Sequence, residues 1–501
     1  MLIFIKNFID KTEILYENYM RRIFVLSDKM ARPSAMPSHK NQYQEGDLVI
    51  MTILKNGTLV TPEGLKNADL AMEGDKIVRI GDNLTAGAGD NVVDVAGCIV
   101  FPGFIDGHTH LDLVNNLGHT ADNFETGTRG AVCGGTTTCM DMATQEHGDT
   151  LVHTMEVWKD LAQNISCNYG IHMSITDWNE HTKAEIQTMA EEGITTYKTY
   201  MAYGIAIDDV ATMEVLKELK TVHGIAGVHC ENGPLIPALQ KQVLESGITS
   251  PAGHPISKPD YLEAEAINRL LYIAAIVDTP VHVVHLSCKS GLDEIRAARK
   301  RGQTVYVETC PQYLLFDDSV YSRPDGSKFV LSPPIRKQAD SEALKEAIIN
   351  GEIQSIATDH CPFNFTLKQS QAAKGFDQIP GGGAGVEHRP ILMLTLFKDS
   401  MDYVQLNKVL SENAAKLFNL YPKKGALQVG SDADITVYDP SKKWTISAAN
   451  QHQNVDHTPY EGFEVVGQMK YVYVNGQLAV VDGEPTGVQA GTFVRADCFN
   501  N

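Results

Sequence analysis

Eight short apolar segments, alternating with helix-length stretches, constrain this chain more than any other feature. The segments are 99–107, TTTCMDM at 136–142, CNYGIHMSI at 167–175, TTYKTYMA at 195–202, GIAGVHC at 224–230, VHVVHLS at 281–287, TVYVETC at 304–310 and SIATDHC at 355–361. They are too short for buried helices and read as strands. Between them, stretches around 149–164, 181–192, 208–222, 234–247, 259–277, 290–301 and 340–351 read as helices. Strand-then-helix repeated over eight strands indicates an α/β fold, a (β/α)8 TIM-type barrel.

Both ends of the chain break this rhythm. From Asp47, LVIMTILKNGTLVTPEG reads as two short strands around the turn Asn56-Gly57, and ADLAMEGDKIVRIGDNL as another hairpin at Glu73-Gly74-Asp75. Near the C-terminus, VVGQMKYVYVNGQLAVVDG is a hairpin turning at Asn475-Gly476. The simplest arrangement is a small β-sandwich made from both chain ends, with the barrel inserted between its halves. The expected division begins with a poorly ordered extension over 1–45 holding one amphipathic helix. The N-terminal half of the sandwich follows over 46–103, the barrel over 104–424, the C-terminal half of the sandwich over 425–488, and a tail over 489–501.

Composition excludes several classes. The 501 residues hold 62 acidic and 42 basic side chains, a net charge of −20. Such a surface repels phosphate backbones, which excludes nucleic acid as a partner. No apolar run reaches the roughly 18–20 residues that span a membrane. Charges at Lys6, Asp10, Lys11 and Glu13 interrupt any secretory apolar region. The nine cysteines are odd in number and contain no CxxC pair. That fits a reducing, cytoplasmic setting better than a disulfide framework.

In a barrel of this kind, chemistry sits at the C-terminal ends of the strands. The first strand runs into His108 and His110, which alternation places on the same side. The fourth carries Lys198, the fifth ends with His229, the sixth with His285, and the eighth with Asp359. Each has an ordinary reading. His229 and His285 fit core histidines, Lys198 fits a snorkelling lysine, and Asp359 fits a helix cap. Five strands of one barrel would have to make such placements together.

Lys198 is the informative member. Two dications would repel its ammonium, so it must lose its proton or change chemically. The neutral amine with carbon dioxide gives a carbamate, N6-carboxylysine, whose two oxygens bridge two metals as a carboxylate does. The expectation is a binuclear centre. One divalent ion takes His108, His110, Asp359 and one carbamate oxygen. The other takes His229, His285 and the second oxygen, with a hydroxide between the two. Zinc suits this nitrogen and oxygen set best, with manganese, cobalt and iron as alternatives.

The motifs PGFIDGHTH, GGTTT, YKTYMAY, VHCEN, VHLS, ETCPQYL, SPPIR and ATDHCPF together resemble the cyclic amidohydrolases. Within them the chain most resembles the dihydropyrimidinase/hydantoinase family, from about residue 49 to 485, and ETCPQYL followed by SPP favours its bacterial hydantoinase side. The resemblance implies hydrolysis of the cyclic amide of a hydantoin or dihydropyrimidine to an N-carbamoyl amino acid. It implies the same six ligands and the carboxylated Lys198. It assigns Tyr203 to the developing oxyanion and the backbone at Ser332 to the ring amide. Asp359 becomes general base and then general acid. It also implies a homotetramer acting on a small cyclic ureide.

One position departs from the pattern. Gly381, within IPGGGAGVEHR, stands where the family commonly has asparagine in a substrate-binding loop. Contact there is largely through backbone, so activity is compatible with glycine, and an allantoinase-type ureide hydrolase is the alternative enzyme. Asp112 argues against the dihydroorotase branch, which usually has arginine there. A non-catalytic scaffold relative is the alternative from another class, but the scaffolds have lost metal ligands that this chain keeps.

Overall fold

Residue parity along the eight predicted strands is realised as a parallel sheet curled around its own interior. The computed structural model describes residues 50–115 and 117–496. The expected extension over 1–45, with its helix, lies outside the described residues, as do the last five residues of the tail. The barrel strands are Phe104–Thr109, Thr136–Thr144, Asn168–Ser174, Thr196–Tyr200, Ile225–His229, Val281–Val283, Val305–Thr309 and Ser355–Ile356. They pair side by side in chain order, parallel throughout.

The helices between them start where the sequence supplies a cap. Thr150 Oγ1 accepts from the His153 amide at 3.0 Å, Asn179 Oδ1 from the His181 amide at 2.9 Å, and Asp208 Oδ1 from the Ala211 amide at 2.8 Å. Each such bond satisfies an amide that the helix itself leaves open and contributes about 1 kcal/mol.

The first and eighth strands close the barrel differently from the rest. The His110 amide donates to the His360 carbonyl at 2.8 Å, and the His360 amide to the His108 carbonyl at 3.3 Å. Below this point side chains replace the ladder. Fully buried Arg389 donates from Nη1 to the carbonyls of Ile105 and Ile356, at 2.8 and 2.7 Å, tying both strands. Asp106, also buried, accepts from the Thr358 amide at 3.1 Å and its hydroxyl at 2.7 Å. A buried guanidinium and carboxylate are tolerable because each is compensated by the other and by hydrogen bonds.

Strands from the two chain ends form one nine-stranded sheet. Ile99–Pro102 splices them. It runs parallel to Met51–Thr61 through Thr58–Ile99 and Leu59–Val100, and antiparallel to Ile435–Thr445 through Val437–Val100. The sheet folds over its own apolar core, with Leu54, Leu59, Leu70, Ile77, Val100 and Ile435 all buried. Each such side chain contributes roughly 1.5–3 kcal/mol on burial. Residues beyond the last strand reach the barrel, where the Val494 amide donates to the Tyr169 carbonyl at 2.7 Å.

Two expectations need correction. The first barrel strand does not run through 99–107. Ile99–Pro102 belongs to the end sheet and Phe104–Thr109 to the barrel, with the change at Gly103. A Cβ there would stand 2.0 Å from Thr137 Oγ1, so only glycine lets the chain cross so close to the second strand. Asn56-Gly57 is not a hairpin turn. It is a bulge within the single strand Met51–Thr61, and the hairpin closes at Pro62-Glu63. Asn56 has φ +64, a conformation that suits a primed turn and a bulge equally, so the local sequence alone does not separate them.

The eight cysteines at described positions are buried free thiols. Among the described residues no helix is long and apolar enough to cross a membrane.

Candidate metal centre

The strand ends bring six predicted side chains to one mouth. His108 Nε2 lies 3.2 Å and His110 Nε2 3.1 Å from Asp359 Oδ1. Ligating atoms of these three all lie within 4.8 Å of one another, so they can face one cation. Lys198 Nζ is 3.3 Å from His108 Nε2. On the far side, His229 Nδ1 is 3.0 Å from His285 Nε2. The rings of His108 and His285 join the two halves, with centroids 5.3 Å apart.

These separations test whether a metal fits. Donors at about 2.0–2.1 Å from one tetrahedral zinc ion stand roughly 3.3 Å from each other. The pairs His108–Asp359, His110–Asp359 and His229–His285, 3.0–3.2 Å apart, are already near that spacing. Burial, then the Lys198 charge, holds His108 and His285 well below the usual imidazole range. Both rings are therefore neutral, the form that ligates a cation.

Lys198 is almost completely buried, and burial pushes its amine down to about 8, against the pull of Asp359 and Glu308. His110 and Asp359 remain partly open, with side chains 13% and 12% exposed, and mark the entrance. Backbone conformation re-aims three members just beyond their strands. Tyr203, His285 and Asp359 adopt φ of +70°, +40° and +53°. Such values cost a non-glycine residue of order 1–3 kcal/mol, and they persist where the surroundings enforce them.

Two carboxylates outside the predicted set orient the ligands. Glu308 Oε1 lies 2.8 Å from His108 Nδ1, which turns Nε2 toward the mouth. Glu231 Oε2 lies 2.9 Å from His229 Nε2, which turns Nδ1 toward His285. Holding the second ring nitrogen of a ligating histidine is what fixes its tautomer and its aim. Glu308 sits in ETCPQYL and Glu231 in VHCEN. A carboxylate at the end of an otherwise apolar barrel strand is the signal that could have found both.

The predicted substrate contacts form a second chain of bonds. The Tyr203 hydroxyl donates to Glu231 Oε2 at 2.7 Å, and the residue is 45% exposed. Lys258, absent from the predicted set, donates to the Tyr203 hydroxyl at 2.7 Å and to Ser332 Oγ at 2.8 Å. Burial would raise the Glu231 carboxyl, but the Lys258 ammonium and His229 outweigh it and hold it well below the usual range. Gly381 lies against Ser332. A Cβ there would meet Ser332 Oγ at 3.6 Å, an ordinary contact.

Comparison with known proteins gives the family. The sequence model of the Amidohydrolase family matches residues 99–479. The D-hydantoinase of Geobacillus stearothermophilus is 38% identical over 443 residues, covering 87% of this chain and 94% of its own. The D-phenylhydantoinase of Escherichia coli is 37% identical over 453 residues, covering 89% and 98%. The crystal structure of dihydropyrimidinase from Brevibacillus agri superposes with a TM-score of 0.88 at 36% identity, covering 90% of this chain and all of that one. The L-hydantoinase of Arthrobacter aurescens gives a TM-score of 0.82 at 29% identity, covering 89% of this chain and all of that one. The chain belongs to the amidohydrolase family, among the hydantoinases and dihydropyrimidinases.

Proposed function

We propose that the protein opens a five- or six-membered cyclic ureide, a hydantoin or a dihydropyrimidine, to an N-carbamoyl amino acid. The observation that carries this is the convergence of His108, His110, Lys198, His229, His285 and Asp359, from five strands, at one mouth. His108, His110 and Asp359 would hold one divalent cation, and His229 and His285 a second. Lys198, carboxylated on Nζ, would give one oxygen to each. Nitrogen and oxygen donors of this kind suit zinc best, with manganese, cobalt and iron as alternatives. When bound, the cations supply an activated water and a polarised ring carbonyl.

The chain's own residues do the rest. With its amine pushed down to about 8 by burial, Lys198 is far more readily neutral near pH 7 than an exposed lysine, and the neutral amine can attack carbon dioxide. The new N–C bond makes the carbamate, and the amine gives up its proton. Asp359, beside both first-strand histidines and open to the mouth, takes a proton from the attacking water. It returns that proton to the ring nitrogen, which cannot leave as an anion. The Tyr203 hydroxyl donates to the oxygen that gains charge. The backbone at Ser332 and Gly381 positions the ring, and the absence of a side chain at Gly381 leaves room for varied substituents. Relatives with D-hydantoinase names at 36–38% identity, against an L-hydantoinase at 29%, support a D preference on hydantoins.

The test is turnover of hydantoin, dihydrouracil and allantoin before and after chelation, with zinc then restored. Activity that disappears with the metal and returns with zinc is expected, greatest on hydantoin or dihydrouracil. Full turnover by enzyme with no metal by elemental analysis would refute the reading, and turnover of allantoin alone would redirect it.

A further inference from the structure

Lys258 is a buried cation that no element of the metal centre requires. Only 4% of its side chain is exposed, and it follows the short helix Gly253–Ser257 rather than a barrel strand. Its place is fixed from below. Arg336 Nη1 donates to the Lys258 carbonyl at 2.5 Å, and Arg336 is itself buried against Glu263 at 2.8 Å. Glu263 Oε1 accepts from the Ser287 amide at 2.8 Å, two residues past His285. Lys258 is thus anchored to the loop that carries a candidate ligand.

An ammonium has three protons to donate, and three acceptors surround this one. The Tyr203 hydroxyl is at 2.7 Å, Ser332 Oγ at 2.8 Å and Glu231 Oε2 at 3.5 Å. The arrangement creates a conflict for Tyr203. Its one proton is committed to Glu231 at 2.7 Å, so donation to a substrate oxygen breaks that bond. Glu231 is fully buried and its Oε1 has no partner, so losing a donor at Oε2 would be costly unless another replaced it. His229 Nε2 stays on Oε2 at 2.9 Å, and Lys258, already directed at it from 3.5 Å, is the charged donor that can close in as Tyr203 leaves.

We propose that Lys258 is a positioning residue for hydrolysis. It holds the Tyr203 and Ser332 hydroxyls on one ammonium and takes over Glu231 when the Tyr203 proton turns to the substrate. This rests on the reading of Tyr203 and Ser332 as substrate contacts. The effect through Tyr203 acts in the transition state and so appears in kcat. The effect through Ser332 acts on the bound ring and appears in KM.

The experiment compares Lys258→Gln, Lys258→Arg, Tyr203→Phe and the Lys258→Gln/Tyr203→Phe pair on hydantoin, with bound metal measured for each. Lys258→Gln is expected to lower kcat roughly 30- to 100-fold and raise KM about threefold, with metal content unchanged. Lys258→Arg keeps the charge and the donors, and its kcat is expected to return to within about fivefold of the parent. Because both changes remove the same interaction, adding Lys258→Gln to Tyr203→Phe is expected to cost less than about threefold more. Losses that multiply in the pair overturn the proposal, as does a Lys258→Gln kcat within about threefold of the parent while Tyr203→Phe is crippled. A Tyr203→Phe enzyme with unimpaired turnover overturns the reading of Tyr203 and this proposal together. If Lys258→Gln does not fold because Glu231 loses its counter-charge, Lys258→His, which keeps a donor beside Glu231 and leaves the His229 partner in place, replaces it, and the same coupling with Tyr203→Phe decides.

Discussion

A buried amine among imidazoles has few ways to exist, and Lys198 shows the physics of the site at the scale of one residue. Its folded value of about 8 lies below the ordinary 10.5, so the fold resists its protonation. The neutral fraction grows as pH rises toward 8 and is lost as pH falls. At constant dissolved carbon dioxide, zinc reactivation of stripped, decarboxylated enzyme should therefore quicken about tenfold from pH 6 to 7 and level off above about 8. A rate independent of pH over that range would show that the lysine amine is not the group that reacts. Glu308 gives a second prediction. Glu308→Gln keeps the shape but weakens the hold on His108 Nδ1, and zinc affinity measured by chelator competition should fall roughly 10- to 100-fold. An unchanged affinity would remove Glu308 from the account. The ordinary reading of a barrel histidine does hold at two other positions. Burial pushes His172 and His282 down to about 3, and both rings face Phe418 as neutral core groups.

Elements decide what parity cannot. His282 and His285 are three apart, which on a continuous strand puts them on opposite faces. The strand stops at Val283, and φ of +40° at His285 returns its ring to the interior. His282 therefore lies on the barrel floor and His285 at the mouth. Asp359 and His360 diverge in the same way. With φ of +53° at Asp359, its carboxylate reaches the first-strand histidines while His360 Nε2 meets Asp122 at 3.1 Å. The splice at Gly103 is the other decisive element. Gly103→Ala would drive a Cβ into Thr137, and a loss of at least about 1–3 kcal/mol is expected in denaturant unfolding. Thr137→Ala in the same chain should recover only a fraction of it, since the Thr137 Cβ itself would stand 2.7 Å away. An unchanged unfolding midpoint would show that the strands can separate there without cost.

At the scale of the whole molecule, the cations of the proposed centre act as cross-links between strands far apart in sequence. His108 and Asp359 are 251 residues apart in the chain, yet their ligating atoms lie 3.2 Å apart. A ligand bound only by the folded state stabilises it by about 4 kcal/mol at a thousand times its dissociation constant. Chelation should therefore lower the melting temperature by several degrees, and added zinc should restore it. A melting temperature unaffected by chelation would mean that the ligand set does not hold metal in solution. The homotetramer is a proposal at this scale as well, and light scattering at a mass near four times 54.9 kDa is the expected result.

Local pattern by itself determined the number and order of the barrel strands, the helices from the second strand to the eighth, and the six residues at the strand ends, but not the helix Phe124–Cys133 between the first and second strands. Apolar period, caps and turn residues are properties of neighbouring positions, so a linear reading captures them. Tertiary structure alone decided the rest. The strand-end position marks Glu308 and Glu231 in the sequence, but only the barrel chooses their partners, setting them and Lys258 2.7–2.9 Å from His108, His229 and Tyr203. The change of sheet at Gly103 and the bulge at Asn56-Gly57 sit where a Cβ on Gly103 would strike Thr137 and one on Gly57 would stand 2.9 Å from Val95 and Val100, residues distant in the chain. Such contacts are set by closure of the barrel and its end sheet, and no window of neighbouring residues contains them.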